Sequence, residues 1–476
     1  MPRLAAAFVL GLAATLPVQA ASTADTIDVE DEVTLVGTGW DFDPPTQTFR
    51  IFDSNPITIT GNAVSIGTRV LVQPGPFVAN LTLDNAMIDL SGIGGGDQCA
   101  FDMSGARVNL TLVGVNVLAS DGQCAGLRAP AGSTLEILAA STGSLTAAAG
   151  SPGAGEGAGI GGSVFEDGGT ITIAGGTVTA TGGGSGGGAG IGGGSFGTDG
   201  NNITITGGTV TATGGSGGGP GIGSDGDGGV NVSIGGNAQV TANGGDSTFN
   251  DVGGGAGIGS GGANNGAGTP LPAGTIRIDL SQGATLIANG GAGASNTGSG
   301  APIGQGGFRA ASNLPADGNG AGLSNPAVTL SAVSAASSAT FTCAPAAPAT
   351  VGSTLPNAPP TVGGYQWLTS TNNGATWGTP AVGTTATTLV VNGVTQAMID
   401  NNRYACQTVA TGGGLSAGDT LTFISAAINM PAGITPVVGG GVAATVPTLS
   451  QWSLALLALM LAGLTAALRR KPGRLG

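Results

Sequence analysis

Gly157-Ala-Gly-Ile-Gly-Gly162 returns as Gly188-Ala-Gly-Ile-Gly-Gly193 and, with proline for alanine, as Gly219-Pro-Gly-Ile-Gly223, so Ile160, Ile191 and Ile222 stand 31 residues apart. A period of this length marks a stacked architecture, in which each repeat buries its apolar side only against its neighbours. A second phrase lies between the first. Ile171-Thr-Ile-Ala-Gly-Gly-Thr-Val-Thr-Ala-Thr-Gly-Gly183 recurs almost letter for letter from Ile203 to Gly215. Apolar and β-branched polar residues alternate in it, which is the two-residue period of a strand, and the glycines punctuate the strands as turns.

The composition agrees. The chain has 95 glycines in 476 residues and only 8% charged residues, yet 40% of it is hydrophobic, too much for a disordered chain. A right-handed parallel β-helix accounts for these numbers, because each coil needs a few inward Val, Ile or Leu while Gly, Ser and Asn form the corners. Collagen is excluded, since the glycines keep no three-residue rule. Of twelve basic residues, Arg3 and the group Arg469, Arg470, Lys471 and Arg474 lie at the two ends. Seven arginines and no lysine then face 26 acids in the body, a formal −19. Nucleic acid, which needs clustered basic side chains, is excluded as a partner. The acidic surface serves solubility outside the cell, with weak calcium binding as the sharper reading. Asp225-Gly-Asp227 supplies half of a calcium loop but lacks the spaced third acid and the distal glutamate.

The ends address the chain. Residues 1–20 combine Arg3, an apolar run from Leu4 to Val18 and a small-residue site ending at Ala20, the pattern of a secretory signal peptide. Export would place the four cysteines in an oxidising compartment. At the other end, after a linker over 435–445, Trp452 to Leu468 carries no charge. These residues would rise about 25 Å as a helix, enough to span a membrane with Trp452 at one interface and the basic cluster in the cytoplasm. Val446-Pro447-Thr448-Leu449-Ser450 with Trp452, the apolar helix and the Arg-rich end resembles the IPTL-type C-terminal sorting signals of Gram-negative bacteria, relatives of the PEP-CTERM signals. The sequence departs from that pattern in Val446 for isoleucine and Ser453 for glycine. The resemblance implies an exosortase-like partner that recognises Pro447 to Trp452 and removes the helix. A plain tail anchor is the competing reading of 446–476.

Within 21–326 the strands begin at Ile27 and continue through Val33-Thr-Leu35, Phe49-Arg-Ile51, Ile57-Thr-Ile59, Val70-Leu-Val72, Leu81-Thr-Leu83 and Leu110-Thr-Leu112. Leu110 and Leu135 are 25 residues apart, and so are Cys99 and Cys124 in their matching surroundings. A coil of 25 residues would put the two cysteines on adjacent rungs, about 4.8 Å apart and within reach of a disulfide. Ile258 and Ile303 repeat the apolar phrase at gaps of 36 and 45 residues, as the irregular last coils, and Gly306 to Pro326 reads as an exit segment. The repeats from Leu81 to Gly307 resemble those of bacterial carbohydrate-binding β-helix proteins, which implies polysaccharide binding, with calcium in some. The aromatics of the later coils are Phe165, Phe196, Phe249 and Phe308.

From 327 to 434 the vocabulary shifts to threonine, alanine and valine. Cys343, Trp367 24 residues later, and Tyr404 two positions before Cys406 resemble the pin of a bacterial immunoglobulin-like domain. The resemblance implies a Cys343–Cys406 disulfide with Trp367 against it and a module that holds the solenoid off the membrane. Asn373-Gly374 reads as a hairpin turn, after which Trp377 either packs on its own sheet or stacks on a ligand.

With no histidine anywhere and no lysine in the body, a Ser-His-Asp triad, zinc hydrolysis and most phosphoryl transfer lack their parts. A glycosidase or polysaccharide lyase would need carboxylates across one cleft, and only the scattered Asp84, Asp89, Asp102 and Glu136 are at hand. The expectation is an exported, envelope-sorted, non-catalytic surface or matrix protein without a cofactor. A calcium-assisted binder of acidic or envelope polysaccharide is the first alternative, and a cryptic polysaccharide-degrading enzyme the second.

Overall fold

The computed structural model describes residues 25–437 except 31–35, 65–66, 95, 151–155, 185, 198–200, 226–228, 250–251, 263–270, 295–296, 308–321, 325–328, 336, 345–360, 379–386 and 412–418. The expected signal peptide and the helix over 452–468 lie outside these residues. Among the described residues the chain is nearly all β, with a single six-residue helix, Gln396–Asn401, and no helix long and apolar enough to cross a membrane.

From Ile57 to Gly304 the chain visits three sheets in rotation. One turn runs from Thr170–Ile173 in the first sheet to Thr177–Thr181 in the third and Ile191–Gly192 in the second, then to Asn202–Ile205 beside its starting strand. Each new strand pairs parallel with its counterpart one turn earlier. Inward side chains therefore form columns. Ile160, Ile191, Ile222, Ile258 and Ile303 stand one above another in the second sheet, so the gaps of 31, 36 and 45 residues are absorbed entirely at corners. Ile171, Ile203, Val232 and Ile276 form a column in the first sheet, and Val178, Val210, Val240 and Leu286 one in the third. All belong to one apolar core.

The glycine after each repeat isoleucine has a steric cause. Gly161, Gly192, Gly223 and Gly259 have φ between +135° and +152°, and a Cβ on any of them would lie 1.8 Å from the carbonyl oxygen of the glycine one turn later. Only glycine lets the rungs close to strand spacing here.

The 25-residue coil needs correction. Leu110 lies opposite Ile137, and Leu135 opposite Val108. The cysteines keep the 25-residue offset, Phe101 and Leu127 are 26 apart and Arg107 and Thr134 are 27 apart, because one residue is added at each of two successive corners.

Strands outside the rotation cover part of each end of the stack. At the start, Val36–Gly37, Trp40–Asp43 and Thr48–Ile51 make an antiparallel ribbon on the second sheet, and Phe49 packs between Trp40 and Phe42 at centroid distances of 5.6 and 4.6 Å. At the far end, Gly322–Ser324 of the expected exit segment turns back to pair antiparallel with Thr285–Asn289. The last parallel rung of the first sheet comes from across the expected boundary at 326/327. Thr420–Ile424 pairs parallel with Gly274–Asp279 and sends Leu421 and Phe423 into the common core.

The rest of the second module is antiparallel. Thr361–Ser370 and Arg403–Thr411 extend the first sheet past Thr420–Ile424, while Thr329–Ala335, Ser338–Ala344 and Thr388–Val391 form a separate sheet. The Cys343–Cys406 disulfide joins the two sheets, with Cα atoms 6.2 Å apart, over a core that holds Phe341, Trp367 and Tyr404. The Tyr404 hydroxyl accepts from Asn402 Nδ2 at 3.2 Å.

Candidate ligand-binding face

The outer face of the second sheet gathers the cations of an acidic protein. Adjacent short strands bring Arg50, Arg69 and Arg128, three of the seven body arginines, to one groove of about 460 Å³. Arg50 makes a two-pronged pair with Asp41, its neighbour across the antiparallel ribbon, at 2.8 and 2.9 Å. Arg128 stands one rung above Asp102 and donates to it at 2.8 Å, while its Nε and second amino group engage both oxygens of Glu166. The hydrogen bond to Glu166 pushes the Arg128 guanidinium further up, against an opposing effect of burial. Both forks are held in place by carboxylates. Arg69 donates its Nε to Thr48 Oγ1 at 2.9 Å and has no ion pair among the described residues. It also lines a neighbouring depression of about 610 Å³ with Thr46, Gln47 and Gln98.

The Cys99–Cys124 disulfide, with Cα atoms 5.1 Å apart, borders this groove. It ties two rungs at the level where the arginines converge.

Beyond Glu166 lies an aromatic ledge. Phe165 and Phe196 occupy the same corner of successive turns, each five residues after a repeat isoleucine. Their rings stack at 5.5 Å with a 24° interplanar angle, and they are 71% and 50% exposed. Both backbones are left-handed, at φ 59° and 62°, a conformation that costs bulky residues about 1–3 kcal/mol and persists where the surroundings impose it. The Phe165 N–H donating to the Ser195 carbonyl at 2.8 Å is one such restraint. The five-residue offset from Ile160 and Ile191 was a signal in the sequence; the stacking was not. Phe249 is exposed at a different corner, and Phe308 lies outside the described residues.

The acidic candidates fall apart as a set. Asp227 lies outside the described residues. Asp225 is half-buried and accepts from Ser195 Oγ at 3.3 Å and from the Phe196 N–H, with Glu156 nearby. Loss of solvent pushes its carboxyl well above the usual carboxylate range, a direction Glu156 reinforces. No group of three or more Asp, Glu, His or Cys side chains is placed to hold a metal among the described residues. Asp84 and Glu136 belong to the first sheet, Asp89 to the third and Asp102 to the second, so they share no cleft. Trp377 is half-buried, with its ring 3.9 Å from where a Cβ on Gly374 would sit, and it does not line the depression beside that hairpin. The hairpin turn falls at Asn373 and Gly374, both at positive φ.

Ordered guanidinium–carboxylate pairs, the Arg69 guanidinium and two exposed ring faces can hold a hydroxylated ligand by hydrogen bonds and stacking.

Comparison with known proteins finds the IPTL-CTERM motif at residues 444–471. That span contains Val446, Pro447, Thr448, Leu449, Ser450 and Trp452, so the C-terminal sorting signal is present, consistent with export and envelope sorting in Gram-negative bacteria and with processing by an exosortase-like enzyme. No curated protein and no solved structure matches the chain.

Proposed function

We propose that this chain is an exported, non-catalytic surface or matrix protein of a Gram-negative envelope. In this reading the three-sheet stack is a right-handed parallel β-helix, the second module is an immunoglobulin-like sandwich that caps it, and residues 452–468 span the inner membrane until an exosortase-like enzyme removes them. The observation that carries it is the IPTL-CTERM motif at 444–471, placed after a body of stacked strands. Cell fractionation with mass spectrometry of the C-terminus tests it. A mature protein at the surface or in the medium that ends upstream of Trp452 supports the reading; an intact tail held in the inner membrane sinks it.

A second reading, that the body binds polysaccharide, is favoured by the exposed Phe165–Phe196 stack beside the Arg128–Glu166 pair. The full chain is titrated against a polysaccharide panel with calcium and with chelator. Saturable binding that Phe165→Ala and Phe196→Ala weaken supports it, and calcium dependence gives Asp225 a part. A panel without binders leaves the structural role alone.

A further inference from the structure

The outer face of the third sheet joins an unbroken register to a lack of charge. Its parallel register runs without a shift from Val115–Ala119 to Thr285–Asn289. Outward hydroxyls therefore stand in columns. Ser144, Thr177 and Thr209 form one, Thr146, Thr179, Thr211 and Thr241 a second, and Thr181 and Thr213 a third. Their inward neighbours, Val178, Ala180, Val210 and Ala212, are buried and fix each strand. None of these nine hydroxyls has a hydrogen-bond partner among the described residues.

No acid or base lies in the strands of this face between Val115 and Asn289, although the body carries 26 acids. Exposed Val115 and Ile287 extend it at either end without charge. Strand propensity alone does not explain the uniformity. Over the same turns the outward positions of the first sheet also carry threonines, Thr134, Thr170, Thr172, Thr204 and Thr275, but set the charged Glu136 and Arg277 among them.

We propose that this face binds ice. Strands repeat about every 4.8 Å and outward residues about every 6.7 Å along each strand, so the hydroxyls form a two-dimensional grid. These repeats lie close to the oxygen spacings of the prism planes of ice. Each threonine is held near a fixed χ1 and offers a hydroxyl to bond water beside a methyl that restricts it. The neutrality of the face matches an uncharged lattice, because ionic side chains would impose hydration shells of their own. The other periodic partner, a crystalline polysaccharide, is less favoured, since none of the strands of this face between Val115 and Asn289 contains an aromatic residue and the Phe165–Phe196 ledge is at another corner.

The test is crystal shaping and recrystallisation in ice by the purified full chain. The wild type facets crystals and slows their coarsening. Thr179→Tyr with Thr211→Tyr abolishes both effects, whereas Thr172→Tyr with Thr204→Tyr, on the first sheet, leaves them. Thr179→Ser with Thr211→Ser keeps the strands and hydroxyls but removes two methyls, and it weakens the effect even if the tyrosine pair fails to fold. Unshaped ice in the wild type overturns the proposal, and so does full activity in both third-sheet variants. Retention on crystalline cellulose or chitin, lost in the same variants and without an effect on ice, also overturns it and assigns the face to a polysaccharide.

Discussion

Asp419 Oδ1 accepts a 2.8 Å hydrogen bond from the backbone N–H of Gly274, 145 residues earlier in the chain. Its other oxygen accepts from the Ala273 N–H at 3.1 Å and from Gln305 Nε2 at 3.4 Å. One carboxylate thus satisfies the start of the last coil strand and anchors the strand that covers it. Asp419→Ala should cost roughly 1.5–3 kcal/mol, the range for hydrogen bonds to a charged group. Urea unfolding followed by far-UV circular dichroism measures it, and an unchanged midpoint would detach the second module from the stack.

Apolar burial does the same work beside it. Leu421 and Phe423 lie in the coil core, so Phe423→Ala should destabilise by about 3–5 kcal/mol through lost transfer energy and the cavity left behind. If the modules were independent, the coil transition would not move; the expectation is that it falls with the second module.

Two neighbouring glycines separate steric need from composition. Gly192 has φ +136° and no room for a Cβ, while the nearest atom to a Cβ on Gly193 would be Ser224 Oγ at 3.2 Å. Gly192→Ala should cost at least ~3 kcal/mol or prevent assembly, and Gly193→Ala less than about 1 kcal/mol. Thermal melts of the two variants provide the comparison, and equal losses would refute the argument.

The raised carboxyl of Asp225 makes stability depend on pH with a definite sign. In the folded state it holds its proton above the unfolded value of about 3.9, so its contribution is most favourable below that value and is lost as pH rises through the raised folded value. Asp225→Asn removes this dependence. The Tm of the variant should exceed that of the wild type at neutral pH, and the gap should close as pH falls toward 4. A gap that widens on acidification would reverse the assignment.

The two disulfides should differ in weight. Loop-closure entropy assigns about 4 kcal/mol to the 63-residue Cys343–Cys406 loop and about 3.5 kcal/mol to the 25-residue Cys99–Cys124 loop. Cys343→Ala with Cys406→Ala should therefore lower the urea midpoint more than the other pair of alanines.

What the letters disclosed follows from what geometry forces on them. The isoleucine column survives gaps of 31, 36 and 45 residues because corners absorb length, and the glycine after each isoleucine is dictated by a carbonyl one turn away. Both disulfides stood out for a similar reason, as large features with few competing partners. The register of Leu110 was hidden, since residues added one at a time at two corners leave the strand words intact. The seat of Thr420–Ile424 was hidden as well, because it continues the column of Ile276 after 145 residues without sharing a repeat. The ledge depends on two left-handed phenylalanines, a conformation that no propensity would assign to that residue.

A pile of like rungs carries no ruler. Each parallel edge invites another strand, and nothing in the repeat says how many should follow. By drawing Thr420–Ile424 back onto Gly274–Asp279, the protein ends the run of parallel rungs in the first sheet and continues it antiparallel with strands from outside the repeats. The length of the object is thereby written into one molecule, and the edge that would have recruited a neighbour is spent on the chain itself.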